Sequence, residues 1–186
     1  MNNIKKTLTR LTRAIAITTS TIITTTLVFT ASVQAEQTIL SHVEIEASPE
    51  AVWSILTDFD NYPQWSQFIT SIAIQAENQT LPRVGEQLDI TVIPPNEAGM
   101  DFSPELLVVK PNQELRWRGT IGGMNFLFSG EHYFQLKRTA NNQTVLTHGE
   151  VFSGWLVPLL WGSISENTPA GFEAYNQAIK SKVESM

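Results

Sequence analysis

Thr168-Pro169-Ala170-Gly171-Phe172-Glu173-Ala174-Tyr175-Asn176-Gln177-Ala178-Ile179-Lys180-Ser181-Lys182-Val183-Glu184 is the stretch that decides the fold. Phe172, Tyr175, Ile179 and Val183 recur at i, i+3, i+7 and i+11, which puts them on one stripe of an α-helix. Thr168 can cap that helix and Pro169 suits its first position, so the helix is expected to run from about Pro169 and to span about 24 Å. Just before it lie the apolar run Gly154-Trp155-Leu156-Val157-Pro158-Leu159-Leu160-Trp161 and a polar stretch, Ser163 to Pro169, predicted as a kinked joint and a place of motion. Between Ile69 and Phe152 the pattern is of short strands. A run of strands followed by one long, apolar-striped helix predicts an α+β fold in which a curved sheet wraps that helix.

Upstream, Thr38 to Glu46 alternates, with Val43 and Ile45 on one face and His42, Glu44 and Glu46 on the other, a half-buried strand. Ser48-Pro49-Glu50 starts a helix with a cap, a proline at the first position and an acid at the positive end. Its apolar stripe is Val52, Ile55, Leu56 and Phe59. Asp58 to Pro63 reads as a break, and Pro63 to Phe68 as a second short helix. Strands follow at Ile69–Ala76, Gln87–Ile93, Pro104–Val109, Glu114–Ile121, Phe126–Arg138 and Gln143–Phe152, with Pro94 to Gly99 as a loop and Ala140-Asn141-Asn142 as a turn. The short connections imply antiparallel neighbours.

Composition narrows the function. The 186 residues are 42% hydrophobic and include no cysteine, so disulfides, thiolate metal sites and Cys nucleophiles are excluded. Lys5, Lys6, Arg10 and Arg13 precede every acidic residue; from Glu36 onward eight basic side chains face eighteen acidic ones, a net −10. Such a body repels phosphate backbones, so nucleic acid is not expected as a partner. The basic start, the uncharged run Ala14 to Phe29 and the small residues of Ala31-Ser32-Val33-Gln34-Ala35 predict a secretory signal over residues 1–35, cleaved after Ala35. Seven Ser/Thr in Ala14–Phe29 make a poor lipid span, so no stable membrane span is expected after cleavage, and residues 36–186 form one exported domain, periplasmic or secreted. An intact Met1 in the exported protein, by mass spectrometry, would overturn this.

Several local texts resemble those of one family. Ser48-Pro49-Glu50-Ala51-Val52-Trp53, then Asp58-Phe59-Asp60-Asn61-Tyr62-Pro63-Gln64-Trp65, resembles the opening of the polyketide cyclase/dehydrase-like branch of the SRPBCC (START and birch-pollen-allergen-like) superfamily. So do Leu115-Arg116-Trp117-Arg118-Gly119, Gly130-Glu131-His132-Tyr133-Phe134, Glu150-Val151-Phe152-Ser153-Gly154 and Gly171 to Lys180. The resemblance covers residues 38 to 184 and rests on the order of these pieces. It implies a helix-grip fold, about seven antiparallel strands bent around a C-terminal helix, with two short helices after the first strand and a deep hydrophobic cavity. It also implies a small hydrophobic ligand (lipid, polyketide or aromatic) and no cofactor. No universal catalytic motif comes with it.

The last two strands carry the candidate chemistry. Phe126, Phe128, Gly130, His132, Phe134 and Leu136 fall on an inward face, as do Leu146, His148, Glu150 and Phe152. A turn centred on Asn141 places His132 opposite Glu150 or His148, about 4.5–5.5 Å apart at Cβ. Three readings follow: a self-satisfied buried pair, a ligand-orienting polar end of the cavity, or catalysis by His132 and Glu150 or a two-His, one-carboxylate metal site. The cavity wall is expected to comprise Ile90, Val92, Leu115, Trp117, Phe128, His132, Phe134, His148, Glu150, Phe152, Phe172, Tyr175 and Ile179, with no resident metal. Arg116 and Arg118 lie on the opposite strand face, as solvated ion pairs. The Trp155–Trp161 run either caps the core, gates the cavity or docks a partner. Gly119 to Met124 is a hairpin turn; it has no phosphate-loop lysine, and HExxH, GxSxG and dinucleotide fingerprints are missing. The functional reading is an exported binder of a small hydrophobic or amphipathic ligand. The alternatives are a cyclase or dehydratase, whose turnover His132→Ala would abolish, and a protein-interaction module.

Overall fold

The computed structural model describes residues 36–76, 79–95 and 98–186; the signal-peptide expectation lies outside these residues. In chain order the elements are β1 (Gln37–Ile45), α1 (Pro49–Leu56), a 3-10 helix (Phe59–Gln64), β2 (Ile69–Ile74), β3 (Leu88–Val92), β4 (Met100–Phe102), β5 (Glu105–Lys110), β6 (Glu114–Thr120), β7 (Ser129–Arg138), β8 (Thr144–Ser153) and α2 (Val157–Glu184). Five strands pair in the order β1-β8-β7-β6-β5 and three in the order β2-β3-β4, all antiparallel. Backbone bonds join the two sheets: Leu88 N–H donates to the Pro104 carbonyl at 2.9 Å and Leu106 N–H to Glu86 at 2.8 Å. This is the α+β helix-grip arrangement, with α2 held against β1 and β8.

Local chemistry sets the ends. Ser48 caps α1 by accepting from Ala51 N–H at 3.4 Å, and Pro49 occupies its first turn. The second short helix is the 3-10 turn over Phe59–Gln64, earlier in the chain than the spacing suggested, and Asp58 does not cap it through its side chain. Its Tyr62 is fully buried and donates to the Leu56 carbonyl at 2.8 Å, which fixes the angle between the two helices. The eighth strand, β4, falls where the sequence read as connection. All three of its residues are exposed, so no alternation marks it.

The largest correction concerns α2. It is one helix of 28 residues, about 42 Å long, and the expected kinked joint from Ser163 to Pro169 is helical throughout. Pro169 sits inside it, where it has no N–H to bond the Ser165 carbonyl four residues back. The Trp155–Trp161 run is therefore not a segment before the helix: from Val157 on it is the first part of it, with Val157 and Trp161 packed on the core and Leu160 at the cavity. Val157 is buried, Trp161 packs edge-on against Phe152 with ring centroids 6.1 Å apart, and Trp155 and Leu159 face solvent. The chain enters α2 at Gly154, whose φ of +112° suits glycine. A Cβ there would lie 2.6 Å from the Leu127 carbonyl oxygen, because residues 126–127 bond directly to Trp155 and Leu156. Phe126 to Phe128, expected as strand, precede β7 as a loop, and Phe126 is exposed.

Candidate functional site

The site is built from three cross-strand rungs on the inner face of the five-stranded sheet. In the first, Leu115 of β6 pairs with Phe134 of β7, which pairs with His148 of β8. In the second, Trp117 pairs with His132 and His132 with Glu150. In the third, Gly119 pairs with Gly130 and Gly130 with Phe152. Side-chain bulk thus falls away along the strands, from solid packing, through a polar wall, to two adjacent residues with no side chain.

The cavity opens above the third rung. It has a volume of about 340 Å³, toward the small end of the range of about 300–1,000 Å³ usual for ligand sites. Of the residues predicted from sequence, Ile90, Val92, Trp117, Phe128, His132, Glu150 and Phe152 line it. Leu115, Phe134, His148, Phe172, Tyr175 and Ile179 do not. All six are completely buried in the packing below the cavity. The reason is aromatic filling. Tyr175 packs on Phe134 and His148 at 5.1 Å, Trp65 lies edge-on to Tyr175 at 5.3 Å, and the Tyr62 and Tyr175 hydroxyls meet at 2.9 Å. Burial raises the pKa of both phenols, so they remain neutral donors and acceptors. Phe172 stacks on His148 at 3.8 Å and closes the space from the helix side. The helix residues that do line the cavity are Leu160, Ser163, Ile164 and Thr168, all N-terminal to the stripe read from sequence. Met100 and Phe102 of β4 complete the wall, half exposed.

The turn after β7 settles the register. Arg138 pairs with Thr144, Asn142 takes a left-handed φ of +60°, and His132 faces Glu150. His132 Nδ1 lies 3.3 Å from Glu150 Oε2 and its Nε2 lies 2.9 Å from His148 Nε2. On the far side of His148, Nδ1 lies 3.0 Å from Asn176 Oδ1, and Asn176 Nδ2 donates to Ser41 Oγ at 3.0 Å. These five side chains make a line from the cavity to β1. His132 sits between the other two ligand candidates, so the three do not converge on one point as a metal triad requires. Among the described residues no group of three His, Asp or Glu side chains does. Trp117 stacks flat on His132, 4.8 Å away with 3° between planes, and holds that ring upright.

Asn176 is the member that sequence reasoning missed. It occupies a position four residues after Phe172, on the buried face, and is a lone amide among apolar neighbours. A polar residue on an apolar stripe is the signal that could have found it. With Asn176 Oδ1 and a backbone hydrogen bond at Phe172 beside it, His148 Nδ1 carries the proton. His148 Nε2 is then an acceptor, and His132 Nε2 donates to it. A single proton is left between His132 Nδ1 and Glu150 Oε2. The orientation of the Asn176 amide is an assignment from this network.

Burial, then the neighbouring His132, push the pKa of His148 well below its ordinary value, against the opposing effect of Asn176 and Phe172. The folded chain therefore binds this proton less readily than the unfolded chain. Stability should be complete above an unfolded pKa of about 6.5 and fall as pH drops below it, by up to ~1.4 kcal/mol per pH unit. Urea denaturation at pH 7, 6 and 5 measures the slope, which is expected to be flatter in His148→Gln. An equal slope in both would contradict the assignment of a neutral, buried His148.

On the outer face Arg116 pairs with Glu114 at 2.8 Å and with Glu131 at 3.4 Å, and Arg118 with Glu131 at 3.9 Å, as the strand alternation implied. Neither lines the cavity.

A sheet gripping one long helix, with an apolar cavity at one end, is the START helix-grip fold. The chain belongs to the polyketide cyclase/dehydrase and lipid transport family, whose sequence model it matches over residues 30–184. Solved structures agree on the fold. A START superfamily protein from Mycobacterium smegmatis is 24% identical, with a TM-score of 0.59 over 80% of this chain and 97% of that one. The ZhuI aromatase/cyclase from Streptomyces sp. R1128 is 13% identical, with a TM-score of 0.60 over 81% and 94%. Norcoclaurine synthase from Thalictrum flavum is 16% identical, with a TM-score of 0.60 over 80% and 94%. A comparison with curated proteins finds no match. Among the described residues no helix is long and apolar enough to cross a membrane.

Proposed function

We propose that this domain binds one small hydrophobic or amphipathic molecule in the cavity above Gly119 and Gly130, with Trp117, Phe128 and Phe152 as apolar walls and Glu150 as its polar end. The observation that carries this reading is the open inner face at Gly119. A strand pair in the middle of a wrapped sheet normally fills its inner face, and here a Cβ added at Gly119 would meet nothing within 4 Å. Family and fold support the same reading, since both suggest hydrophobic ligand binding or polyketide cyclase-like chemistry. The cyclase reading is favoured less. An acid–base His132 needs a nitrogen free for the substrate, and both of its nitrogens are engaged by Glu150 and His148.

Gly119→Leu tests the proposal. Its side chain grows into open space, so the fold is expected to keep its stability within about 1 kcal/mol. Binding of 2-methylnaphthalene, measured by calorimetry, is expected to weaken at least about tenfold. Unchanged binding in a folded Gly119→Leu protein would place the ligand elsewhere.

A further inference from the structure

We propose that the polar end of the cavity selects a ligand carrying a hydroxyl group as hydrogen-bond donor, and disfavours one that ends in a carboxylate or phosphate. The inference rests on the ligand-binding reading above and gives the chemical class of the ligand. Glu150 Oε2 is engaged by His132 Nδ1 at 3.3 Å. Among the described residues Oε1 meets no donor. It lies over Gly130, where an added Cβ would collide with it. The missing side chain at Gly130 is therefore what lets the carboxyl lie flat along the cavity wall.

The hydrogen-bond line makes Oε1 an acceptor in each proton arrangement. With the shared proton on His132, Glu150 is a carboxylate and Oε1 accepts. With that proton on Oε2, Oε1 is the carbonyl oxygen and accepts. With the Asn176 amide turned over, the line reverses, His132 Nδ1 donates to a carboxylate, and Oε1 still accepts. His132 has no nitrogen left to donate into the cavity. The other polar side chains of the lining, Thr120, Ser163 and Thr168, are neutral hydroxyls, and no Lys or Arg belongs to it. An anionic end group would thus sit in an apolar cavity beside a carboxyl, and the one charge that could offset it, on a protonated His132, is already paired with Glu150. A hydroxyl would find its acceptor in place.

Three probes of nearly equal shape test this: 2-naphthol, 2-methylnaphthalene and 2-naphthoate, each titrated calorimetrically at pH 7. The wild-type protein is expected to bind 2-naphthol about tenfold more tightly than 2-methylnaphthalene, and 2-naphthoate more weakly than either. In Glu150→Leu the preference for 2-naphthol should fall to about onefold while 2-methylnaphthalene still binds. The wild-type comparison decides alone if Glu150→Leu does not fold. Equal affinity for 2-naphthol and 2-methylnaphthalene, or tightest binding of 2-naphthoate, overturns the selectivity and leaves hydrophobic binding standing. No binding of any of the three overturns the ligand-binding reading, and this inference with it.

Discussion

Phe172→Ala is expected to destabilise the protein by about 3–5 kcal/mol, the range for deleting a fully buried aromatic ring. Phe172 has no solvent exposure and touches three layers at once. Its ring stacks on His148 at 3.8 Å, meets His132 edge-on at 5.2 Å and meets Phe68 edge-on at 6.0 Å. Removal would open space directly beneath the hydrogen-bonded line, and His148 would lose the surface that orients it. The cost should therefore lie in the upper part of the range, because rings held by hydrogen bonds on their edges cannot collapse into the hole. Chemical denaturation gives the value. A loss below about 1 kcal/mol would mean that the neighbouring side chains relax into the vacated space.

Gly171→Ala should have an effect of similar origin and opposite geometry. The hypothetical Cβ would run into the Phe68 ring, with three ring carbons within 2.8 Å. Phe68 is 6% exposed and meets Phe172 edge-on, so its ring can yield only by turning into the cavity that it lines, away from Phe172. Alanine is the better helix former by about 1 kcal/mol, and at an exposed site the exchange would stabilise. Here overpacking should win, for a net loss of about 1–3 kcal/mol. The decisive measurement is a double-mutant cycle. Phe68→Leu costs stability alone, but combined with Gly171→Ala it should recover a large part of the alanine penalty. Simple additivity of the two losses would rule out the steric explanation.

These two neighbours show what the sequence could and could not convey. The stripe Phe172, Tyr175, Ile179 and Val183 was legible because helical period and apolar type coincide, and all four are buried. The strand faces were legible for the same reason, and the Asn141 turn pointed to the His132–Glu150 contact without choosing it over His148. The length of α2 was not legible. Thr168-Pro169 reads locally as a helix start, yet tertiary packing of Val157, Leu160 and Ile164 extends the helix three turns upstream. For Leu115, Phe134, His148, Phe172, Tyr175 and Ile179 the pattern gives the correct side of sheet and helix, and all six are buried. Alternation gives the face of a strand, though, and not the position along it where the space ends. That position is set by Tyr62 and Trp65, which come from the far end of the sequence and fill one half. Gly119 begins a glycine-rich run that reads as a turn, and its partnership with Gly130 appears only when two strands are aligned.

The glycine rung has one further consequence. Capacity and foldability are encoded in different residues here. The rungs below it and the C-terminal half of the long helix carry the cohesion of the molecule, whereas two neighbouring α-carbons determine how much room remains. On the proposed reading, substitutions at Gly119 would resize the guest without disturbing the scaffold, while Gly130 cannot vary as freely, since the Glu150 carboxyl rests upon it. Within one strand pair, one glycine would then be a dial for ligand size and the other a seat for ligand chemistry.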